Sequence, residues 1–122
     1  MSGPKIVIKR IYDAPGHGDG VRVLVDRLWP RGVSKAHAQL DEWLKEIAPS
    51  AELRTWWDHD PSRMDEFSKR YQDELGDSEH AEAAKQLIDI IHGAERVTLL
   101  YGAKDPEVNH AVVLQGYLRR HS

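Results

Sequence analysis

A short apolar run that ends abruptly in charge constrains the fold most. Residues 23–25 are all apolar and are followed directly by Asp26 and Arg27. An uninterrupted run of branched apolar residues is typical of a strand that is covered on both faces. Residues 21–28 are therefore predicted to form a central strand. Its charged end would lie where α/β sheets place their ligands.

Two further strands are predicted from the same kind of pattern. Residues 5–12 alternate and are rich in β-branched side chains, and residues 96–101 form a short apolar run. Between the first two strands, residues 13–20 contain three glycines and a proline, which predicts a loop. Because eight residues are too few for the usual helical crossover, we expect the first two strands to pair antiparallel.

Apolar residues at helical spacing predict helices in the middle of the chain and at its end. Residues 60–76 give the clearest signal, and residues 36–47 also carry a helical repeat, although 41–47 are compatible with a shorter irregular structure. The predicted helix caps are Ser34, Ser50, Asp60, Ser78 and Asp105. The chain thus predicts an α/β fold, with a single compact domain over residues 1–122 and a small mixed sheet flanked by helices.

The composition excludes several classes of function. The 122 residues include no cysteine, which excludes disulfides, thiol nucleophiles and thiolate zinc sites. No stretch approaches the roughly 20 apolar residues that a membrane span needs. The opening residues 1–5 lack the apolar segment of a secretion signal. We therefore expect a cytoplasmic protein that does not act at a membrane.

Charge is distributed unevenly along the chain. Residues 1–35 carry seven Lys or Arg against three Asp or Glu, whereas residues 36–93 carry six against fourteen. This segregation predicts a polarised surface if it survives folding, although exposed helices rich in acidic residues explain it equally well. Since there is no dense Lys/Arg run, nucleic acid is not expected as the main partner.

The first candidate site follows the predicted central strand. Arg27 and Arg31, four residues apart, could present planar donors to a carboxylate or phosphate. Trp29 lies between them and could line a pocket or stack on a flat ligand. The alternative is structural, with Asp26 in a buried ion pair with the arginines and Trp29 packed in the core.

The second candidate site follows the last predicted strand and contains Tyr101, Lys104, Asn109 and His110. A loop that leads into a helix offers backbone N–H groups to an anion, and Lys104 adds a positive charge, although Asp105 opposes it. His110 is the best candidate for a general acid or base, because an imidazole titrates near neutral pH. Tyr101 could donate a proton or a hydrogen bond to a substrate.

Other polar clusters carry weaker signals. In residues 56–60, His59 lies between two carboxylates and could form a pocket wall or a general base, or simply end a helix with core tryptophans. The seven histidines match no metal-binding motif, so neither a metal nor another cofactor is predicted. Four of them are expected to be exposed: His17, His37, His80 and His121.

Three stretches make the chain resemble the YeaO-like family of small bacterial and archaeal proteins, which has no established function. They read VLVDRLWPRG over residues 23–32, WLKEIAPS over 43–50 and LLYGAKDPEVNHA over 99–111. The resemblance implies a compact intracellular α/β domain and supplies no reaction, cofactor or catalytic residue. A wider group of similar proteins often has a cysteine near the end of the late strand. This chain has Tyr101 there, so no thiol chemistry is implied.

Together these features predict a site for a small anionic molecule between the two strand ends, used for binding or for acid–base chemistry. Two alternatives stay open. The chain could be an interaction module that binds a protein or nucleic acid through its basic N-terminal face. It could also be one subunit of a homodimer rather than a monomer, with an aromatic interface. The anchors of that interface would be Trp43, Trp56 and Trp57.

Overall fold

A computed structural model describes residues 5–122. The first four residues, which carry most of the argument against a secretion signal, lie outside the described part of the chain. Within it, four strands form one sheet in the order β1-β4-β2-β3, and all three neighbouring pairs are parallel. The strands are β1 (Lys5–Arg10), β2 (Val21–Leu24), β3 (Glu42–Trp43) and β4 (Arg96–Tyr101).

The α/β class is confirmed, but the expected antiparallel pairing of the first two strands is wrong. β1 and β2 do not pair, because β4 lies between them and pairs parallel with both, so the sheet is parallel rather than mixed. The connection over residues 11–20 can extend up to about 33 Å. It needs to cover only about 16 Å, four residues along the strand and two strand spacings across it. A helix is therefore not required for this crossover.

The predicted central position of the strand that begins at residue 21 is confirmed, since β2 lies between β4 and β3. Its predicted extent over 21–28 is too long, because β2 ends at Leu24. The third predicted strand matches β4 residue for residue. Alternate residues of these inner strands face opposite sides of the sheet. Val23 and Leu99 belong to the larger core cluster, whereas Leu24 and Leu100 belong to a smaller one. Both faces are therefore covered, as the unbroken apolar run predicts.

Five helices complete the described fold. They are α1 (Lys35–Ala38), α2 (Ala51–Trp57), α3 (Met64–Leu75), α4 (Ala81–His92) and α5 (His110–His121). Three short 3-10 turns cover His17–Asp19, Lys45–Ile47 and Pro61–Arg63. No helix in the described residues is long and apolar enough to cross a membrane.

Local signals placed some helix starts correctly and misplaced others. Ser34 and Ser50 cap α1 and α2 through their hydroxyl groups, as predicted. The helical repeat over 36–47 is broken, because α1 ends at Ala38 and the chain then turns into the edge strand β3. That outcome matches the irregular alternative for residues 41–47.

Two predicted caps are displaced. Asp77, not Ser78, accepts hydrogen bonds from the backbone N–H groups of Glu79 and His80, and α4 begins after them. Asp105 caps only a turn, through the N–H groups of Glu107 and Val108, and α5 begins after Asn109. In both cases several residues with capping side chains lie close together, and the pattern alone does not select among them.

Candidate functional site

The ends of β2 and β4 lie next to each other because the strands are parallel neighbours. Asp26 follows β2, and its Oδ2 accepts a hydrogen bond of 2.8 Å from the backbone N–H of Gly102, which follows β4. A Cβ atom at position 102 would come within 3.0 Å of that oxygen. The glycine therefore lets the carboxylate approach the backbone, and the two candidate segments meet in space.

His110, the first residue of α5, packs against the same carboxylate. Its Nε2 lies 3.0 Å from the carbonyl oxygen of Val25 and 3.3 Å from Asp26 Oδ1. A carbonyl can only accept, so Nε2 carries a proton and donates it to Val25. The edge of the ring faces Tyr71 in the core, with centroids 6.2 Å apart. This contact fixes the imidazole in one orientation.

Burial shifts the titration of both groups in this pair. It raises the pKa of Asp26, against the lowering effect of His110 and of the Gly102 N–H. It lowers the pKa of His110, against the raising effect of the Asp26 carboxylate. Burial therefore opposes the charged form of each group.

A cavity of about 310 Å³ opens beside this pair, within the described part of the chain. Its size lies at the lower end of the range for small-molecule sites. The titratable residues that line it are Asp26, Arg27, Arg54, His59 and His110. The apolar ones are Leu28, Ala48, Pro49 and Ala103. Positively charged groups thus outnumber the single carboxylate.

Neither arginine of the cavity forms a close ion pair within the described residues, although the charge of Arg54 acts on the Asp26 carboxylate. Among residues 5–122, no carboxylate lies within ion-pair distance of Arg27 or Arg54. The buried side-chain polar atoms that lack a hydrogen-bond partner there are Asp26 Oδ1, Arg27 Nε and Arg54 Nε, and all three residues line this cavity. Such atoms are costly, at roughly 1–3 kcal/mol each. All three atoms therefore lie close together in the wall of one cavity.

The wall of the cavity that Ala48 and Pro49 form is held by contacts with α3 and with the residue that precedes α4. His80 Nε2 lies 2.9 Å from the carbonyl oxygen of Ala48, and Glu74 accepts hydrogen bonds from the N–H and hydroxyl of Ser50. His80 is buried to 1% exposure, so the expectation that it is exposed is wrong. It is buried because its ring connects α4 to this wall. The wall leads directly into α2, which carries Arg54.

Two of the predicted site residues, Arg27 and His110, line the cavity. Tyr101 and Lys104 do not; Tyr101 is buried, which raises the pKa of its hydroxyl, and Lys104 is exposed. Asn109 is fully buried, and both ends of its amide are used. Its Oδ1 accepts from the N–H of Val112, and its Nδ2 donates to the carbonyl of Asp105.

The other two predicted ligand-binding residues also lie outside the lining. Trp29 donates its indole N–H to the carbonyl of Val33 and packs edge-on against Trp43, with centroids 5.5 Å apart. Arg31 is exposed, and its carbonyl accepts a hydrogen bond from the hydroxyl of Tyr12. The structure thus brings one of the two predicted arginines into the cavity and directs the other to the surface.

Arg54 is the charged cavity residue that sequence reasoning missed, and the apolar lining by Leu28, Ala48 and Pro49 was not predicted either. Arg54 lies on the short helix α2, where no local pattern distinguishes it from a solvent-exposed arginine. His59 was considered as a pocket wall, and the structure places it there, at the turn after α2. Asp58 and His59 both adopt left-handed conformations, with φ of 49° and 52°. This turn redirects the chain so that the histidine reaches the cavity.

Metal-binding geometry is absent from the described ranges. Across residues 5–122, no group of three or more His, Asp and Glu side chains is arranged to hold an ion. The alternative in which Asp26 pairs with the nearby arginines is also not what the fold contains. Its carboxylate contacts Gly102 and His110 instead.

Comparisons with known proteins place the chain in a family. It is 46% identical over 114 residues to the uncharacterised protein YeaO of Escherichia coli, covering 93% of this chain and 96% of that protein. It is 41% identical over 110 residues to uncharacterised proteins of Mycobacterium bovis and Mycobacterium tuberculosis, covering 90% of each chain. No solved structure matches it. Residues 5–122 match the family described as the inactive DUF488-N3 subclade. The chain therefore belongs to this family of YeaO-like proteins.

Proposed function

We propose that this chain is a cytoplasmic protein that binds a small anionic molecule in the cavity between the ends of β2 and β4. The observation that carries the proposal is the pair Arg27 and Arg54. Both arginines line the cavity, and neither forms an ion pair with a carboxylate of the described residues. Guanidinium groups stay charged at all physiological pH values and match the geometry of carboxylate and phosphate oxygens.

Binding is favoured over acid–base catalysis. The Nε2 proton of His110 is directed at the carbonyl of Val25, and Tyr101 does not line the cavity. The two groups that could act as acid and base are therefore not directed together at a common ligand. The description of the family as an inactive subclade points in the same direction. An anion held by the arginines is the simplest use of this geometry.

The basic N-terminal face is less suited to a polyanionic partner than its composition suggests. Lys9 and Arg22 both form ion pairs with Asp19, and Arg22 also donates to the carbonyl of Ala38. Arg10 donates to the carbonyl of Ala103. These cations hold the crossover loop and the strand end in place. Of the tryptophans considered for a dimer interface, Trp57 is buried against Phe67 in the core of the single chain.

The proposal is tested by titrating the protein with sulfate and following backbone amide shifts by NMR at pH 7. We expect saturable shifts at residues 26–28, 54, 59 and 102–103. Arg54→Met and Arg27→Met should each weaken binding at least about tenfold, because each removes a charged hydrogen-bonding group. Methionine keeps most of the aliphatic stem, which limits the loss of packing.

The matched control is Arg31→Met, which removes an exposed arginine of the same sequence motif outside the cavity. It should leave sulfate affinity unchanged. If sulfate shifts no cavity residue, or if Arg31→Met weakens binding as much as Arg54→Met, the cavity is not the anion site. Binding to a single-stranded oligonucleotide that falls steeply with added salt would instead support the interaction module.

A further inference from the structure

Leu28 lies at the mouth of the cavity and is exposed to an unusual degree. It is 71% exposed, the larger value of the two large hydrophobic residues that are exposed among residues 5–122. It belongs to neither of the two core clusters, so its side chain contributes little to folding. Yet it lines the same cavity as Arg27 and Arg54. A residue that lines a cavity and remains mostly exposed stands at its entrance.

The remaining apolar lining lies in two other segments around the same cavity. Pro49 is buried in the wall that His80 and Glu74 hold, and Ala103 follows Gly102 after β4. Pro49 and Ala103 present little exposed surface, whereas Leu28 is mostly exposed. The cavity therefore combines cationic groups with apolar surface from three segments of the chain. Inorganic anions would use only the cationic part.

On the basis of the anion site proposed above, we propose that its ligand is an amphiphilic anion, a carboxylate or phosphate attached to a compact apolar group. The arginines bind the charged end, and Leu28, Pro49 and Ala103 cover the apolar group. Leu28 is the specificity-determining residue. A volume of about 310 Å³ accommodates a single ring or a short acyl chain.

The affinity of the protein for a carboxylate should increase with the apolar surface of that carboxylate. Acetate, hexanoate and benzoate carry the same charge and differ in apolar surface, so they isolate this contribution. We expect hexanoate and benzoate to bind roughly tenfold more tightly than acetate, because each buries additional apolar area. Dissociation constants come from the same NMR titration at pH 7, with sulfate as a purely ionic reference.

Leu28→Ser is the variant that tests the role of this residue. It should reduce the advantage of hexanoate and benzoate over acetate to about twofold or less, while the affinities for acetate and sulfate stay unchanged. Because Leu28 is outside both core clusters, the melting temperature should change little. Tyr12→Ser is the matched control, since Tyr12 is 41% exposed and does not line the cavity. It should leave the advantage intact.

The outcomes separate the two proposals. If sulfate and acetate bind but hexanoate and benzoate bind no better, the anion site stands and the amphiphilic ligand class is overturned. If the advantage is present and survives in Leu28→Ser, the role of Leu28 is overturned. If none of the four anions binds, the anion site fails, and the ligand class fails with it.

Discussion

Asp26 Oδ1 lies 3.3 Å from Nε2 of His110 and yet accepts no hydrogen bond from it. The Nε2 proton is directed at the carbonyl of Val25, 3.0 Å away. Burial raises the pKa of Asp26 and lowers the pKa of His110, so each group is driven toward its neutral form. The charge on this pair therefore depends on pH, and the pair lines the cavity that holds Arg27 and Arg54.

Replacing Asp26 with Asn should strengthen sulfate binding at pH 7 by about tenfold, because it removes a negative charge from the cavity wall. In the parent protein, affinity should rise as the pH falls through the raised pKa of Asp26, since protonation removes the same charge. Sulfate is the suitable probe because its own charge is constant over this range. The measurement is a set of sulfate titrations from pH 8 down to the lowest pH at which the protein stays folded.

In Asp26→Asn, the part of this pH dependence that comes from the carboxylate should disappear. Asp13→Asn is the control, because Asp13 is exposed and lies outside the cavity lining. It should bind sulfate as the parent does. Equal affinities for the parent and Asp26→Asn at every pH would show that Asp26 has no influence on the anion.

His110 should make the folded state less stable in acid. Its folded pKa is lowered below its unfolded value of about 6.5. The unfolded chain therefore binds the proton more readily, and stability falls as the pH decreases from about 6.5 through the folded pKa. Glutamine in His110→Gln does not bind a proton in this pH range, and its amide N–H can still donate to the Val25 carbonyl. The free energy of unfolding should decrease less between pH 7 and 5 than in the parent.

Urea denaturation at several pH values measures this difference. His121→Gln is the control, because His121 is exposed near the end of α5 and should not change the slope. Parallel profiles for the parent and His110→Gln would mean that the imidazole does not resist protonation in the folded state.

Variants of Asn109 test whether this residue caps α5 or binds a ligand. Asn109→Ala removes the acceptor for the N–H of Val112 and should destabilise the fold by about 1–2 kcal/mol. Asn109→Ser keeps a capping oxygen and should lose less. Thermal denaturation gives both values. Sulfate affinity of the folded protein should be the same for both variants, and a loss of binding confined to Asn109→Ala without a change in stability would contradict the capping role.

Much of the fold follows from local patterns. The apolar run at 23–25 identifies the inner strand β2, the run at 96–101 identifies β4, and Ser34 and Ser50 mark two helix starts. Each of these depends on side chains within a few residues of one another. Such information is present in the sequence because periodicity and capping act over one or two helical turns or along one strand.

Local sequence patterns predict only part of the candidate site. Charged residues after two inner strands correctly suggested that Arg27 and His110 lie near a common edge of the sheet. The same reasoning could not separate Arg27 from Arg31, because the turn between them directs one inward and the other to solvent. It also gave no signal for Arg54, which reaches the cavity from a different segment of the chain.

The sequence by itself determined the α/β class, the inner strands, most helix positions and the absence of thiol chemistry. The tertiary structure decided the strand order, the contact of Asp26 with Gly102 and His110, and the cavity with its two arginines. The physical reason is separation along the chain. Strand pairing and charge neutralisation depend on groups that meet only after the chain has folded, and many pairings satisfy the same local pattern equally well.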